Sequence, residues 1–297
     1  MLQRRTVRII RAVEKTVIIL MWLCLAFWGS VAVYASVRIF ITDWFVAPSD
    51  SMTPTIIVGD EILVNKLIFG GRIYTNYNFD EGQPLESWRM PGLRKIRHND
   101  VLVFNYPRGY DRAKIEFKIN YVYCKRCIGL PGDTITVVDG HYQNNNFSQT
   151  LGIDYKQEEL RLCPDSLVPI FNVMPGDKKY GWNAKNMGPL YVPKAGETRH
   201  FDPSDYKPYQ MIIEYETEKK LVVRDGVLML DNQPLGKYTF RHNYYFTGGD
   251  NAVNSLDSRH WGFVPEEFIV GVADRILYSK DPYTGHFRCN RIWKRIE

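Results

Sequence analysis

The sequence predicts a mainly β protein, in which a single N-terminal transmembrane helix precedes a β-rich ectodomain with a barrel-like or sandwich-like core and an inserted subdomain. Two observations carry this prediction. A long uncharged run lies near the N-terminus, and many short apolar runs separated by Gly, Pro, Asn and Asp follow it. Helical periodicity is weak in the second part, and short strands with turn signals are typical of barrels and sandwiches.

The predicted transmembrane helix centres on residues 17–37, which contain 21 residues and no charge. At a rise of about 1.5 Å per residue, this length matches a hydrocarbon layer of roughly 30 Å. A cleavable signal peptide is the alternative, because residues 30–32 read Ser-Val-Ala. Such peptides have an apolar core of only about 7–15 residues, so the length favours a retained anchor.

The positive charge of the chain is concentrated at one end. The net charge is +5, and the first fifteen residues hold five cations against one carboxylate. A nucleic-acid-binding protein would carry a basic face on its folded part, so this distribution argues against nucleic acid. It predicts a single-pass protein of the cytoplasmic membrane, with its N-terminus in the cytoplasm and everything after residue 40 outside. The cations are Arg4, Arg5, Arg8, Arg11 and Lys15.

Short apolar runs predict the strands of the ectodomain. Two of the turns between them read Asp-Gly, at residues 139–140 and 225–226, which predicts hairpins. The predicted strands are 61–64, 100–104, 118–122, 134–138, 221–223, 226–230, 244–246 and 268–272.

Composition and these runs predict four parts. Residues 1–15 form a cytoplasmic basic tail and residues 16–41 the anchor. Residues 42–140 and 240–297 form the β core, and residues 141–239 form an inserted subdomain that is rich in Tyr, Pro, Lys and Asn.

Four cysteines lie beyond the anchor, and their spacing does not predict a disulfide framework. Cys124 and Cys127 have the spacing of a redox motif, yet they lie in a predicted strand and not at a helix N-terminus. Both are interpreted as packing residues.

A serine in the loop PSDSMTPT, residues 48–55, begins the stretches that predict chemistry. Proline at both ends restrains the backbone around Ser51, as a nucleophile needs. Serine-rich loops are more often turns or helix caps, so this stretch alone is a weak signal.

A lysine in the strand-like stretch KRCIGLPGD, residues 125–133, is the second signal. Strand alternation directs Lys125 and Arg126 to opposite faces, so that one of them can point inward. An inward lysine loses its charge more easily because burial penalises the ammonium form. It could then act as a base near neutral pH. The simpler alternative is a solvated surface lysine.

The third stretch, GGDNAVNSLDSRHWGFVP at residues 248–265, holds carboxylates and an arginine suited to a buried ion-pair network. Together with residues 97–107, these stretches, in this order behind one N-terminal span, resemble the bacterial type I signal peptidases, the Ser-Lys dyad leader peptidase family. Residues 143–218 lie outside the resemblance.

The resemblance implies a role for each matching residue. Ser51 is the nucleophile, Lys125 the general base and Ser255 an auxiliary serine that orients the lysine amine. The Ser51 backbone N–H and the Ser49 hydroxyl would hold the oxyanion. Asp250, Asp257, Arg126 and Arg259 would be structural. Asp50 departs from the family pattern, which often has a small residue beside the nucleophile.

These assignments predict a membrane-anchored serine endopeptidase that removes signal peptides from secretory precursors after small-x-small sites. Its partners would be these precursors and the lipid bilayer. No metal or cofactor is expected, because the six histidines lack ligand or triad spacing. An extended substrate on a sheet edge would present alternate side chains to shallow pockets. The candidate pocket walls are Phe45, Ala47, Met52 and Cys124.

Two alternatives remain open at this point. One is a specialised Ser-Lys processing peptidase with one or a few dedicated substrates. The other is a non-catalytic, membrane-tethered β-domain that binds peptides.

Overall fold

The computed structural model describes residues 2–80, 83, 85–109, 114–167 and 173–297, with side chains described for residue 11 and from residue 13 onward. The first element is a long helix, α1 (Leu2–Ser36), which a π-helical turn, Val37–Ile41, extends. Within the described ranges, Val13–Ile41 is the one helix long and apolar enough to cross a membrane, with a mean hydropathy of 2.2. The predicted N-terminal helix is thus present. It already begins at Leu2, so residues 2–15 of the predicted basic tail continue it, and Met1 lies outside the described residues.

The remainder of the chain is built mainly from short strands. The strands are β1 (Thr42–Val46), β2 (Asp60–Asn65), β3 (Arg72–Tyr74), β4 (Ser87–Arg89), β5 (Val101–Asn105), β6 (Val122–Gly129), β7 (Thr134–Val138), β8 (His141–Asn144), β9 (Met187–Tyr191), β10 (Thr198–His200), β11 (Leu221–Arg224), β12 (Val227–Leu230), β13 (Gln233–Pro234), β14 (Lys237–Thr239), β15 (Tyr244–Gly248), β16 (Val264–Pro265) and β17 (Ile269–Ser279). The further α-helices are α2 (Asp154–Leu162), α3 (Gln210–Thr217) and α4 (Ser258–Trp261).

A seven-stranded antiparallel sheet forms the centre of the molecule, in the order β1-β2-β17-β5-β6-β15-β16. Three register shifts in β17 mark irregularities of the β-bulge type, which increase the twist of a sheet. Both faces of the sheet are covered. In β5, Val101 and Val103 belong to one hydrophobic cluster, whereas Leu102 and Phe104 belong to the other. Two covered faces explain why β5 is a continuous apolar run and does not alternate with polar residues.

The mainly β prediction is confirmed, and both Asp-Gly turns form hairpins. Asp139 and Asp225 adopt positive φ, as do the glycines that follow them, which is the backbone of a two-residue hairpin turn. The predicted strand 118–122 is wrong, because β6 begins only at Val122. The Asn105 side-chain amide donates hydrogen bonds to the carbonyls of Lys118 and Ile119 at 2.9 and 3.0 Å, and this segment forms a turn.

Smaller sheets flank the main one, namely β3-β4, β8-β7-β9, β10-β14 and β11-β12-β13. One hydrophobic cluster runs from the main sheet, at Phe104, to Ile135 in β7 and Leu190 in β9. The division into a core of 42–140 and 240–297 and an inserted subdomain of 141–239 stays a prediction.

Candidate active site

Ser51 lies in a short turn that the apolar core holds in place. The turn is closed by two backbone hydrogen bonds, from Thr53 to Asp50 at 2.9 Å and from Ile56 to Met52 at 2.9 Å. Met52 is 3% exposed and Ile56 is 1% exposed, so both side chains anchor the turn in the hydrophobic core. The Ser51 hydroxyl is therefore presented from an anchored backbone.

The Ser51 hydroxyl lies against the Lys125 amine. The distance from Lys125 Nζ to Ser51 Oγ is 2.6 Å, and the same amine donates to the carbonyl of Cys124 at 3.0 Å. A serine and a base within hydrogen-bond distance form the contact that an activated nucleophile requires. The sheet thus brings together the two residues that the sequence predicted as nucleophile and base.

Lys125 is buried, with 3% of its surface exposed. Burial lowers its pKa, because water no longer solvates the ammonium form. The carboxylates of Asp257, Asp250 and Asp50 act in the opposite sense but do not reverse the shift. The amine therefore loses its proton more easily than an exposed lysine does.

Ser49 lies beside Ser51, with 3.3 Å between the two Oγ atoms. Its side chain is exposed and faces the same cleft as Ser51. From this position its hydroxyl could donate to an oxygen that develops charge next to Ser51.

The cleft has a volume of about 630 Å³ and runs between two stretches of chain, residues 45–52 and residues 119–125. Its walls are mostly apolar. Ser51 and Lys125 lie in them, and so do all four of the predicted pocket residues: Phe45, Ala47, Met52 and Cys124.

Arg126 is 3% exposed, like Lys125. Its contacts join the turn that contains Ser51 to the loop of residues 248–265. It forms a two-point ion pair with Asp250, with both N–O distances at 2.6 Å. Asp250 also accepts a hydrogen bond from Thr55, which lies four residues after Ser51. Arg126 further donates to the main-chain oxygens of Asn99 and Glu297 at 2.9 and 3.0 Å.

A second buried ion pair shapes the loop that follows. Arg259 binds both oxygens of Asp257, at 2.9 and 2.8 Å, and both residues are almost fully buried. Burial alone would raise the pKa of Asp257, but the Arg259 guanidinium holds it well below the usual range. Asp257 also accepts the Gly249 N–H at 3.0 Å. The four residues predicted to be structural thus form two ion pairs around the site.

The same loop packs directly against the backbone of Ser51. The Asn251 N–H donates to the Ser51 carbonyl at 3.1 Å. A Cβ atom on Gly249 would lie 2.6 Å from that carbonyl oxygen and 2.0 Å from Ser255 Oγ. Only glycine fits this position.

Ser255 is buried, at 2% exposure, and lies against Gly249. Its Oγ has no hydrogen-bond partner among the described residues. The structure therefore does not form the predicted hydrogen bond from Ser255 to Lys125. The auxiliary role of Ser255 stays a prediction.

Asp50 points away from the dyad. Its carboxylate accepts hydrogen bonds from the Asn254 side chain at 3.2 and 3.3 Å, and its carbonyl accepts one from Asn251 at 3.3 Å. The exposed Asp50 carboxylate, adjacent to Ser51 in the sequence, is thus hydrogen-bonded to Asn254 and does not contact Lys125.

Sequence reasoning gave no role to Thr55, Gly249 or Asn254. Thr55 belongs to the loop of residues 48–55, and its hydroxyl group is the sequence feature that could have identified it as a hydrogen-bonding residue. Gly249 and Asn254 act through close packing and a contact with a residue about 200 positions away, for which a single sequence holds no local signal. Within the described ranges, no group of three His, Cys, Asp or Glu side chains is arranged to hold a metal ion.

Comparison with known proteins places these observations in context. The family model described as signal peptidase, peptidase S26, matches residues 19–278. Signal peptidase I of Buchnera aphidicola subsp. Schizaphis graminum is 30% identical over 257 residues, which cover 82% of this chain and 70% of that protein. Signal peptidase I of Rickettsia felis is 31% identical over 311 residues, covering 91% and 92% of the two chains.

Other similar proteins have the same description. Signal peptidase I of Pseudomonas aeruginosa is 28% identical over 254 residues, covering 82% of this chain and 66% of that protein. Among solved structures, a signal peptidase I from Enterococcus faecalis is 21% identical and aligns with a TM-score of 0.29, covering 60% of this chain and 96% of that one.

Proposed function

The chain belongs to the signal peptidase family, peptidase S26, and we propose that this peptidase removes signal peptides from secretory precursors by a Ser51–Lys125 dyad. The observation that carries the proposal is the 2.6 Å contact between Lys125 Nζ and Ser51 Oγ, made by a lysine that is 3% exposed. A serine hydroxyl is a weak nucleophile unless a base takes its proton, and a buried neutral amine can do so.

The proposed reaction has two steps. Neutral Lys125 takes the Ser51 proton as Oγ bonds to the scissile carbonyl carbon. When the C–N bond breaks, the Lys125 ammonium returns that proton to the leaving amine. Water then attacks the acyl-enzyme, with Lys125 again as the base, and releases Ser51. The Ser51 N–H and the Ser49 hydroxyl stabilise the oxyanion in both steps.

We also propose that α1 anchors the enzyme in the cytoplasmic membrane, with the sheet on the outer side. The cations lie on the N-terminal side of the apolar run, as the positive-inside rule requires for this orientation. The mostly apolar cleft beside Ser51 would bind the substrate in an extended form, with small side chains at the first and third positions before the cut.

The dyad is tested with Ser51→Ala, Lys125→Ala and Lys125→Arg in the full-length, detergent-solubilised protein. Each should lower the cleavage rate of a secretory precursor by at least about 10³-fold, and the Ser51→Ala/Lys125→Ala double variant should be no worse than either single one. Lys125→Arg should fail because arginine cannot act as a neutral base. The exposed Lys95→Ala is the matched control and should retain full activity. Cleavage that persists in Ser51→Ala would overturn the proposal.

Substrate breadth is tested separately with a panel of unrelated precursors. General signal peptide removal predicts that most of them are cut after small-x-small sites. Cleavage of a single precursor would favour a specialised processing peptidase.

A further inference from the structure

The junction between the helix and the sheet contains no flexible linker. The π-helical turn ends at Ile41, and β1 begins at the next residue, Thr42. The Lys66 N–H, just beyond the end of β2, donates to the Ile41 carbonyl at 2.9 Å. The Thr42 side chain donates to the Val64 carbonyl at 3.0 Å. The last turn of the helix is thus hydrogen-bonded to the residue that follows β2, and β1, which continues directly from the helix, is hydrogen-bonded to β2.

Three charged side chains bridge this junction. The Lys66 amine donates to the Arg38 carbonyl in the helix at 2.7 Å and to the Asp43 carboxylate in β1 at 3.1 Å. Asp43 also forms an ion pair with the Arg38 guanidinium. Asp43 and Lys66 retain only 13% and 12% of their side-chain exposure, so water weakens these contacts little. Arg38, Asp43 and Lys66 are called the anchor joint below.

Aromatic side chains and a glycine also contact the residues of this junction. The Arg38 guanidinium lies 4.2 Å from the centre of the Trp44 ring and donates to the Tyr34 hydroxyl at 3.2 Å. A Cβ atom on Gly71 would lie 2.9 Å from the Ile39 carbonyl oxygen, so the loop after β2 packs directly on the helix end. The helix end is thus contacted through Arg38 and Ile39 as well as through the Ile41 carbonyl.

The path from the joint toward Ser51 is paired with β2 as far as Ala47. Each residue of β1 pairs with a residue of β2, and the pairing continues one residue further, where Ala47 donates to the Asp60 carbonyl at 2.8 Å. Ser51 follows four residues later. A five-residue strand spans about 17 Å, so a tilt of about 15° at the joint would move its far end by about 4 Å.

We infer that the anchor joint fixes the angle between the membrane helix and the catalytic sheet, and thereby holds Ser51 at the height of the scissile bond of a substrate embedded in the same bilayer. This inference rests on the proposed function. A substrate in the bilayer has a fixed depth, so a misplaced Ser51 cannot be corrected by diffusion of the substrate toward it. A peptide free in water is not restricted in this way. Arg38, Asp43 and Lys66 are therefore positioning residues and take no part in the chemistry.

The test compares two substrates with the same cleavage site, a full precursor embedded in liposomes and a short water-soluble peptide. The enzyme is the full chain reconstituted in the same liposomes. Asp43→Asn and Lys66→Met should each lower kcat/KM for the embedded precursor by about tenfold or more, as small misplacements do in enzymes. Both should leave kcat/KM for the soluble peptide unchanged.

Two controls separate positioning from general damage. Asp43→Glu keeps the carboxylate and should restore most of the lost activity on the embedded precursor. Asp281→Asn removes the carboxylate of a partly exposed ion pair with Arg288, which does not touch the helix, and should change neither rate. Hydrogen exchange supplies a readout besides activity: the amides of residues 37–41 should exchange faster in Asp43→Asn, while those of β5 and β6 stay unchanged.

The inference is overturned if Asp43→Asn lowers both rates equally, if it lowers neither, or if the exchange of residues 37–41 does not change. Failure of the proposed function has a different signature, since the unaltered enzyme would then cut neither substrate.

Discussion

Lys125 and Arg126 are consecutive residues of β6, and each is 3% exposed although their side chains leave opposite faces of the strand. Other parts of the chain cover both faces of the strand, and the two basic side chains have different hydrogen-bond partners. Arg126 meets the Asp250 carboxylate in a two-point ion pair, whereas Lys125 bonds to a hydroxyl and a carbonyl. Arg126 is thus held as a structural group. Among the described residues, no carboxylate contacts the Lys125 amine, which suits its proposed role as a neutral base.

The pH dependence of cleavage should report the proton on Lys125. The protonated amine cannot accept the Ser51 proton, so kcat/KM should fall as the pH falls through the pKa of Lys125. Burial lowers this pKa, and the midpoint of the acidic limb should therefore lie below the ordinary lysine value of 10.5. A pH–rate profile on a soluble peptide measures it. A midpoint at or above 10.5 would contradict the role of Lys125 as a buried neutral base.

Asp50→Asn should move this acidic limb to lower pH. The Asp50 carboxylate raises the pKa of Lys125, so its neutralisation should make the amine lose its proton more easily. The exposed Asp80→Asn is the control and should leave the profile in place. No movement in Asp50→Asn would mean that the charge beside the nucleophile does not act on Lys125.

Ser49→Ala should lower kcat by about 10²–10³-fold and leave KM almost unchanged, because an oxyanion donor acts on the transition state and not on substrate binding. Ser49→Thr keeps a hydroxyl at the same position and should retain much of the activity. Steady-state kinetics of the three proteins on one peptide provide the measurement. Equal losses in Ser49→Ala and Ser49→Thr would indicate a packing effect instead.

Asp250→Ala should destabilise the protein by about 3–5 kcal/mol, because it removes the buried carboxylate that pairs with both sides of the Arg126 guanidinium. Activity should fall with it, since Asp250 also holds Thr55 in the serine turn. Urea unfolding of the full chain in detergent, followed by tryptophan fluorescence, measures the free energy of unfolding. Glu159→Gln breaks an exposed ion pair with Lys156 and should cost far less. Similar losses of unfolding free energy in both variants would contradict a structural role for the Asp250–Arg126 ion pair.

Gly249→Ala should lower kcat/KM by at least about tenfold, because the added methyl group would overlap Ser255 Oγ and the Ser51 carbonyl and so displace the nucleophile. Gly236→Ala is a matched control, since a Cβ atom there meets nothing within 4 Å. Peptide cleavage measured beside thermal unfolding separates displacement from loss of fold. Full activity in Gly249→Ala would show that the loop adapts to the added group.

Iodoacetamide should modify Cys289 well before Cys124 or Cys127. Burial raises the pKa of Cys124 to about 12 and that of Cys127 well above its usual range, so both stay as unreactive thiols, whereas Cys289 is exposed. Mass spectrometry of the digested protein after timed treatment gives the order of modification. Early reaction of Cys124 would revive the redox interpretation of the Cys124–Cys127 spacing.

Local sequence pattern specifies the N-terminal helix, most of the strands and the hairpin turns. An uncharged run of 21 residues forms a helix because it can satisfy its own backbone hydrogen bonds in an apolar layer. Apolar runs between turn residues became strands, and the Asp-Gly pairs became hairpins because these residues tolerate positive φ. The motif resemblance also selected Ser51 and Lys125.

The contacts between these residues depend on the folded arrangement of the chain. Ser51 and Lys125 are 74 positions apart, and their 2.6 Å contact depends on how β1, β2, β17, β5 and β6 pair side by side. The burial of Arg126 with Lys125 and the missing hydrogen bond of Ser255 likewise depend on the loop that covers the sheet. Local pattern fixes which face a side chain leaves, but burial and pKa depend on what the rest of the chain packs against that face.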